Sequence, residues 1–505
     1  MTGFDHRHAV RNAEAQRLID TSWAAGRGGD AVSAALANYR HDPNDAESKV
    51  MLVSALGEFP ASVAPDMRND VLRLLTDEGV SPDYLSVAGW VLLMREPWWN
   101  AGLDETQCAL LAERLESDEF ARTLLSEAPV HYRDAERVLT RLRKWLIVSG
   151  DWRKYRPLTE CLAAQAALNS GAWPFGEDER ALLSVEENAA VALAFVPSRA
   201  AIHEPDFGNP ITRAVAAYYE RYPYPAWRRL MRTGVKNTVP EQVRALDPTG
   251  PDCLPVKANI LIAGCGTGSE AAQFALEYPD ATITAIDVSE ASLAYAKRRC
   301  AEIGLERIRF FKCDINDVAS LKMQFDFISS SGVIHHLADP EAGWAKLAGA
   351  LRAGGVMRIM LYSPAARRWI DEAREQIRDL YELPTDDDLL RRVRQRFLER
   401  DDPLARKVSE QNEFSTLSGT HDVLMHRLEN NFDIPRIARA LDMLKLKLIA
   451  FILPTPDARA RYDSMFPQDP MHRNVRAWAA FERYAPETFV SQYIFWCRKE
   501  AFWFR

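Results

Sequence analysis

Residues 260–270 read ILIAGCGTGSE, an apolar run that enters a glycine-rich turn and leaves it through an acid. An apolar run of this kind, closed by Gly264-Cys265-Gly266-Thr267-Gly268, reads as a buried strand feeding a turn that something must approach closely. The spacing discriminates between ligands. A dinucleotide turn reads GxGxxG, and its helix N-terminus faces a pyrophosphate. Here position 269 is Ser and the third glycine comes one residue early. A tighter GxGxG turn suits a ligand without that group. Ile262 is a second oddity, because such loops often carry an acid two residues before the first glycine.

Around this stretch, short β-branched or apolar runs alternate with helical stretches: NILIAG, TITAID, IRFFKC, FDFISS and VMRIMLY. That alternation predicts an α/β, doubly wound sheet. Residues from about 8 to 200 instead read as helix after helix. Within them, AGRGGDAVSAALANYRHDPNDAESKVML resembles a tetratricopeptide-type hairpin, with Asp42-Pro43 breaking the chain before a second helix from Ala46 to Leu56. HEPDFGNP, residues 203–210, marks a boundary. The expected organisation is an all-α domain over 1–205, a sheet domain over 206–362 and 434–505, and a helical insertion over 363–433 placed to cover an active site. The insertion's run of Arg391, Arg392, Arg394 and Arg396 is balanced by Asp386 to Asp388 and Glu399, which predicts a solvated, salt-bridged face.

Bulk properties narrow the function classes. The 505 residues carry a formal net charge of −8. This disfavours a dedicated nucleic-acid binder, whose affinity rests on phosphate contacts. Seven scattered cysteines without a CxxC pair suggest reduced thiols and no disulfide framework or metal site. The N-terminus carries no hydrophobic leader and no apolar run reaches ~18 residues, so the expectation is a cytoplasmic protein without a membrane partner.

Two acids follow the glycine turn in register. Asp287 closes TITAID, where a carboxylate can accept hydrogen bonds from both hydroxyls of a ribose. Asp314 closes the third strand, within reach of an adenine edge. FDFISSSGVIHHL then supplies a fourth strand with a polar turn, and LRAGGVMRIMLY a fifth. Four elements in this order resemble the class I S-adenosylmethionine-dependent methyltransferases. The resemblance implies a seven-stranded Rossmann-like sheet whose last strand is antiparallel, and S-adenosyl-L-methionine as cofactor. It also implies that Gly264, Cys265, Gly266, Thr267 and Gly268 lie along the methionine moiety. Asp287 and Val288 would hold the ribose, Asp314 and Ile315 the adenine, with Ser331 nearby. The chain further resembles a bacterial group that joins a TPR-like helical region to such a domain, in AAQAALNSGAWPF, YYERYPYPAW, MRIMLYSPAAR, HDVLMHRLENNFDIP and FVSQYIFWCRK. It departs from that group at Tyr222, in place of the Asn of an NPYP signature, and at Asn430, in place of His.

Methyl transfer needs an aligned nucleophile, and a base only if that nucleophile arrives protonated. His335 and His336 follow strand four at the carboxyl edge, where one can act as a base or stabilise the turn. Read as helix, HDVLMHRLE places Asp422, His426 and Glu429 at i, i+4 and i+7 on one face, as a substrate site or a solvated face. In YYERYPYPAW, Pro223 and Pro225 hold the backbone extended and present Tyr219, Tyr224 and Trp227 rigidly, either over the cofactor or as an aromatic staple. Because Ile262 accepts no hydrogen bond, the cofactor's ammonium needs another partner, and Tyr218–Trp227 is the first place to look. No [DN]PP[YF] motif follows strand four, which lowers the odds for nucleobase or glutamine-amide acceptors. The expected activity is methyl transfer to an N or O nucleophile, first on a peptide or protein side chain and second on a small metabolite, by a possible homodimer. A non-catalytic S-adenosylmethionine-binding scaffold and an NAD-dependent oxidoreductase are the competing classes.

Overall fold

The computed structural model describes residues 3–99, 104–185, 195, 210–453, 456–489 and 492–500. Most of the boundary stretch 203–210 lies outside these residues. The chain forms two compact units. One comprises Met1–Ala200, Arg228–Gly234 and Ala373–Met425, and the other Ala201–Trp227, Val235–Glu372 and His426–Arg505. Among the described residues no helix is long and apolar enough to cross a membrane.

The first unit is helical. Its Gly28–His41 helix stops at the Asp42-Pro43 break, and the next, Ala46–Glu58, starts where the Asp45 side chain accepts the Ser48 amide. Residues 373–425, the middle of the expected insertion, pack into this unit. Arg394 donates to both carboxylate oxygens of Glu136 at 3.2 and 2.7 Å, with the two side chains 1% and 6% exposed. Arg391 donates to the Gly171 carbonyl at 2.9 Å, and the Leu417 amide to Asn169 at 3.1 Å. The solvated basic face expected for this run therefore fails at Arg394, which is a buried half of an ion pair. Arg396, bonded to Asp379, does lie on the exposed side.

The second unit is built on one seven-stranded sheet. Its strands are β1 (Asn259–Ala263), β2 (Thr282–Asp287), β3 (Arg309–Lys312), β4 (Phe325–Ser331), β5 (Leu351–Tyr362), β6 (Leu446–Ile452) and β7 (Gln492–Lys499). The order is β3-β2-β1-β4-β5-β7-β6, with β7 antiparallel to both β5 and β6. This is the predicted doubly wound, Rossmann-like fold. Ile260 to Ala263 are wholly buried because both faces of the parallel centre are covered. Each of the three Ile and Leu side chains is worth about 1.5–3 kcal/mol of burial. Successive residues face opposite sides. Leu261 and Ala263 enter a core with Trp344, Met357 and Phe495, so Ile262 faces the other way, level with Ser329 of β4. Reversal of strand order at β1 places the carboxyl ends of β1 and β4 at the topological switch point, where open α/β sheets bind ligands.

Candidate active site

The glycine turn is held by β2. The Gly264 and Cys265 amides both donate to the Ile286 carbonyl at 2.9 Å, folding the turn over the neighbouring strand. Gly266 then donates its amide to one Asp287 oxygen at 2.7 Å, while Ser289 donates to the other at 2.9 Å. Burial pushes the Asp287 carboxyl above its ordinary range, and the backbone amides of Ser289 and Gly266 partly offset that shift. Val288 beside it is half-buried. A carboxylate has about four acceptor positions, which the amides of Gly266, Ser289 and Val288 do not exhaust. Asp314 is more committed. One oxygen accepts the Asn316 amide and side chain at 2.8 and 3.0 Å, and the other accepts the Thr212 hydroxyl at 2.7 Å. That leaves room for one further donor, as a single contact from an adenine amino group requires. Ile315, buried, opens the turn Ile315–Leu321 behind it. These acids fit an adenosine lying across β2 and β3. Thr212 was not foreseen, since nothing local links residues 102 positions apart.

The segment before the sheet closes over the same turn. The Thr267 hydroxyl donates to the Pro225 carbonyl, and Trp227 Nε1 donates to the Thr267 carbonyl at 2.8 Å. Tyr295 locks the end of the segment, donating to the Trp227 carbonyl at 2.6 Å. A side chain on Gly266 would begin 2.8 Å from the Tyr224 carbonyl oxygen. The Tyr224–Pro225 bond is cis. The chain bends at residues 224 and 225 instead of running extended as expected. Glu220 is turned to a neighbouring helix, Glu290–Glu302, where it accepts the Glu290 and Ala291 amides. Cys265 is buried, and that burial pushes its thiol up.

A second group of side chains gathers beyond the carboxyl end of β4. A side chain on Gly264 would run into Val333, so the turn carrying His335 and His336 abuts the glycine turn. The His335 ring stacks on Tyr362 at 3.9 Å, and that of His336 stacks on His426 at 3.8 Å. His426 in turn meets Tyr218 at 4.7 Å and Tyr219 at 6.1 Å, so the Tyr219 ring joins the histidines. Arg367 lies over Tyr362 at 3.6 Å and pairs with Glu429 at 2.9 Å, both almost fully buried. His336 Nδ1 is 2.8 Å from the Leu428 carbonyl, and Asn430 donates to the carbonyls of His335 and Leu337. Asn430 thereby braces the histidine turn.

His335 is wholly buried, and neither ring nitrogen has a hydrogen-bond partner among the described residues. Desolvation, reinforced by His336, Arg367 and His426, drives its pKa well below the usual imidazole range, so it stays neutral. The expected Asp422/His426/Glu429 helix face does not form. The helix Leu417–Leu424 ends before His426, because residues 426–430 are drawn onto the β4 turn by the contacts above. Asp422 belongs to the helical unit, whereas His426 and Glu429 belong to the sheet unit. Ser331, last in β4, hydrogen-bonds with Glu270 at 2.9 Å.

Residues 260–355 match the family described as a methyltransferase domain. With the strand order, the GxGxG turn and the two strand-end acids, this defines a class I methyltransferase domain with S-adenosylmethionine as its cofactor. An uncharacterised protein of Synechococcus sp. is 36% identical over 184 residues, 33% of this chain and 41% of that one. The trans-aconitate 2-methyltransferase of Deinococcus radiodurans is 32% identical over 104 residues, 21% of this chain and 38% of that enzyme. The malonyl-[acyl-carrier protein] O-methyltransferase of Acetivibrio thermocellus is 32% identical over 106 residues, 21% of this chain and 36% of that enzyme. The chain thus spans less than half the length of these relatives. Among solved structures, PKMT2 from Rickettsia typhi in complex with AdoHcy aligns with 52% of this chain and 53% of its own, at 15% identity and a TM-score of 0.39.

Proposed function

We propose that the chain is an active methyltransferase that moves a methyl group from S-adenosylmethionine to a nitrogen or oxygen nucleophile on a peptide or protein side chain. The observation that carries this reading is the contact of Val333 with Gly264. It brings the turn that carries His336 against the glycine turn, and His336 stacks on His426, which meets Tyr218 and Tyr219. Bound in that turn, the cofactor supplies a methyl group on a sulfonium, which leaves as a neutral thioether. The chain's task is alignment of the nucleophile's lone pair with that methyl carbon and exclusion of water.

His335, wholly buried and stacked on Tyr362, fits support of the turn better than proton removal. A buried imidazole with a depressed pKa takes up a proton reluctantly. Glu429 is neutralised by Arg367, so the pair supplies a rigid floor with little net charge. The helical unit and the chain inserted into it add surface beyond what methyl transfer requires, which favours a sizeable acceptor.

The second reading is a small carboxylic acid or a carrier-borne acid. It is favoured by the named activities of the Deinococcus and Acetivibrio relatives. Incubation of the full chain with methyl-labelled S-adenosylmethionine, a cell lysate and a peptide pool separates the two. Label in a protein or peptide supports the first reading, and label confined to small molecules overturns it. Cofactor binding without release of S-adenosylhomocysteine would leave a non-catalytic scaffold.

A further inference from the structure

Between the glycine turn and β4 lies a charged cluster that the adenosine acids do not use. Glu270 stands in the first turn of the helix Ser269–Glu277, directly after Gly268. Its Oε1 accepts the hydroxyls of Ser329 and Ser331 at 2.8 and 2.9 Å and the Arg358 guanidinium at 2.7 Å. Ser329 is level with Ile262 of β1 on one side and with Arg358 of β5 on the other. All three side chains therefore share one face of the sheet, and Glu270 reaches onto that face from the helix above. The pair is not sealed. Glu270 and Arg358 remain 22% and 24% exposed, and the three hydrogen bonds converge on one carboxylate oxygen.

The strand order gives this cluster a ligand. Reading Asp314 on β3 as the adenine contact and Asp287 on β2 as the ribose contact, the cofactor crosses the strand ends in the direction β3, β2, β1. Its amino-acid end then arrives at β4, past the glycine turn. That end carries an ammonium group, which must find an acceptor as it leaves water. Ile262 offers none. Glu220, the acid of the preceding segment, is bonded to the helix that follows β2, on the opposite side of the turn. Glu270 lies on the β4 side.

We propose that Glu270 binds the ammonium group of S-adenosylmethionine through its second carboxylate oxygen, with Arg358, Ser329 and Ser331 holding the first. The acid that such turns often carry before the first glycine is supplied here from the helix after it. Arg358 is a positioning residue. It fixes the carboxylate rotamer and lowers the cost of half-burying the charge.

The test rests on the adenosine reading of Asp287 and Asp314 and separates the two claims. Titration calorimetry of the full chain compares S-adenosylhomocysteine with 5′-methylthioadenosine, which keeps the nucleoside and sulfur but lacks the amino-acid portion. In Glu270→Gln, the affinity for S-adenosylhomocysteine falls by about ten- to a hundredfold, the range for a hydrogen bond to a charged group. The affinity for 5′-methylthioadenosine should stay within about twofold, which also reports a folded nucleoside site. Glu270→Asp, with the charge retained on a shorter arm, should fall between. Equal weakening for both ligands would assign Glu270 to support of the turn alone and overturn the proposal, as would no change for either. Failure of the unmodified chain to bind either ligand would overturn the adenosine reading, and the proposal with it.

Discussion

Gly266 offers a direct test of the contact between the glycine turn and the segment that covers it. Its φ is +50°, in the left-handed region, and an added Cβ would stand 2.8 Å from the Tyr224 carbonyl oxygen. Gly266→Ala therefore incurs two costs. The backbone term is about 1–2 kcal/mol for a left-handed residue with a side chain. The steric term comes from a fixed carbonyl, because the bonds from Thr267 to Pro225 and from Trp227 to Thr267 hold the segment down. Moving the carbonyl strains or breaks those two bonds at about 1 kcal/mol each. Gly304 supplies the internal control. Its φ is +74°, but nothing lies within 4 Å of an added Cβ, so Gly304→Ala incurs the backbone term alone. Urea unfolding followed by tryptophan fluorescence should therefore show Gly266→Ala less stable than Gly304→Ala by about 1–2 kcal/mol. Trp227 emission should shift to the red already under native conditions. Equal destabilisation by the two variants would refute a packed contact between Tyr224 and the turn.

Three further outcomes follow from buried charge. His335 has a folded-state pKa far below its unfolded value, so as pH falls through the unfolded value the unfolded chain gains a proton that the folded chain refuses. Stability should drop by about 1.4 kcal/mol between pH 7.5 and 5.5 from this group alone. His335→Phe should remove that part of the pH dependence in urea midpoints, and an unchanged slope would contradict the neutral, buried imidazole. For Asp287, raised by burial, the carboxylate protonates early on acidification. Affinity for S-adenosylhomocysteine should then decline with a midpoint above the ordinary value of about 3.9, and Asp287→Asn should bind weakly at every pH. In the helical unit, Glu136→Gln leaves Arg394 buried and unpaired, at about 3–5 kcal/mol. The double variant Glu136→Leu, Arg394→Met should recover most of that loss in a urea titration.

The sheet was legible because its strands announce themselves locally. In β1, β2 and β4, apolar runs closed by Gly264, Asp287 and Ser331 fix both element type and the ends where ligands bind. The glycine spacing and Asp287 were legible for the same reason. What escaped was decided by distant partners. HDVLMHRLE has helical periodicity throughout, yet the helix stops at Leu424. The ties of Leu428 and Asn430 to the β4 turn outweigh a few tenths of a kcal/mol of propensity per residue. The arginine run looked like a solvated face because its buried partner, Glu136, lies 258 residues away in sequence. Glu270 was invisible in a different way. An acid in the first turn of a helix is an ordinary capping choice, and only the register of Ser329 and Arg358 across β1, β4 and β5 turns it toward the ligand side.

The most direct measurement for the central claim is calorimetric titration of the full chain with S-adenosylhomocysteine and, separately, with NAD. A GxGxG turn backed by Asp287 predicts saturable one-site binding of S-adenosylhomocysteine, abolished in Asp287→Ala, with no comparable binding of NAD. Preferential binding of NAD, or S-adenosylhomocysteine binding that survives loss of Asp287, would contradict it.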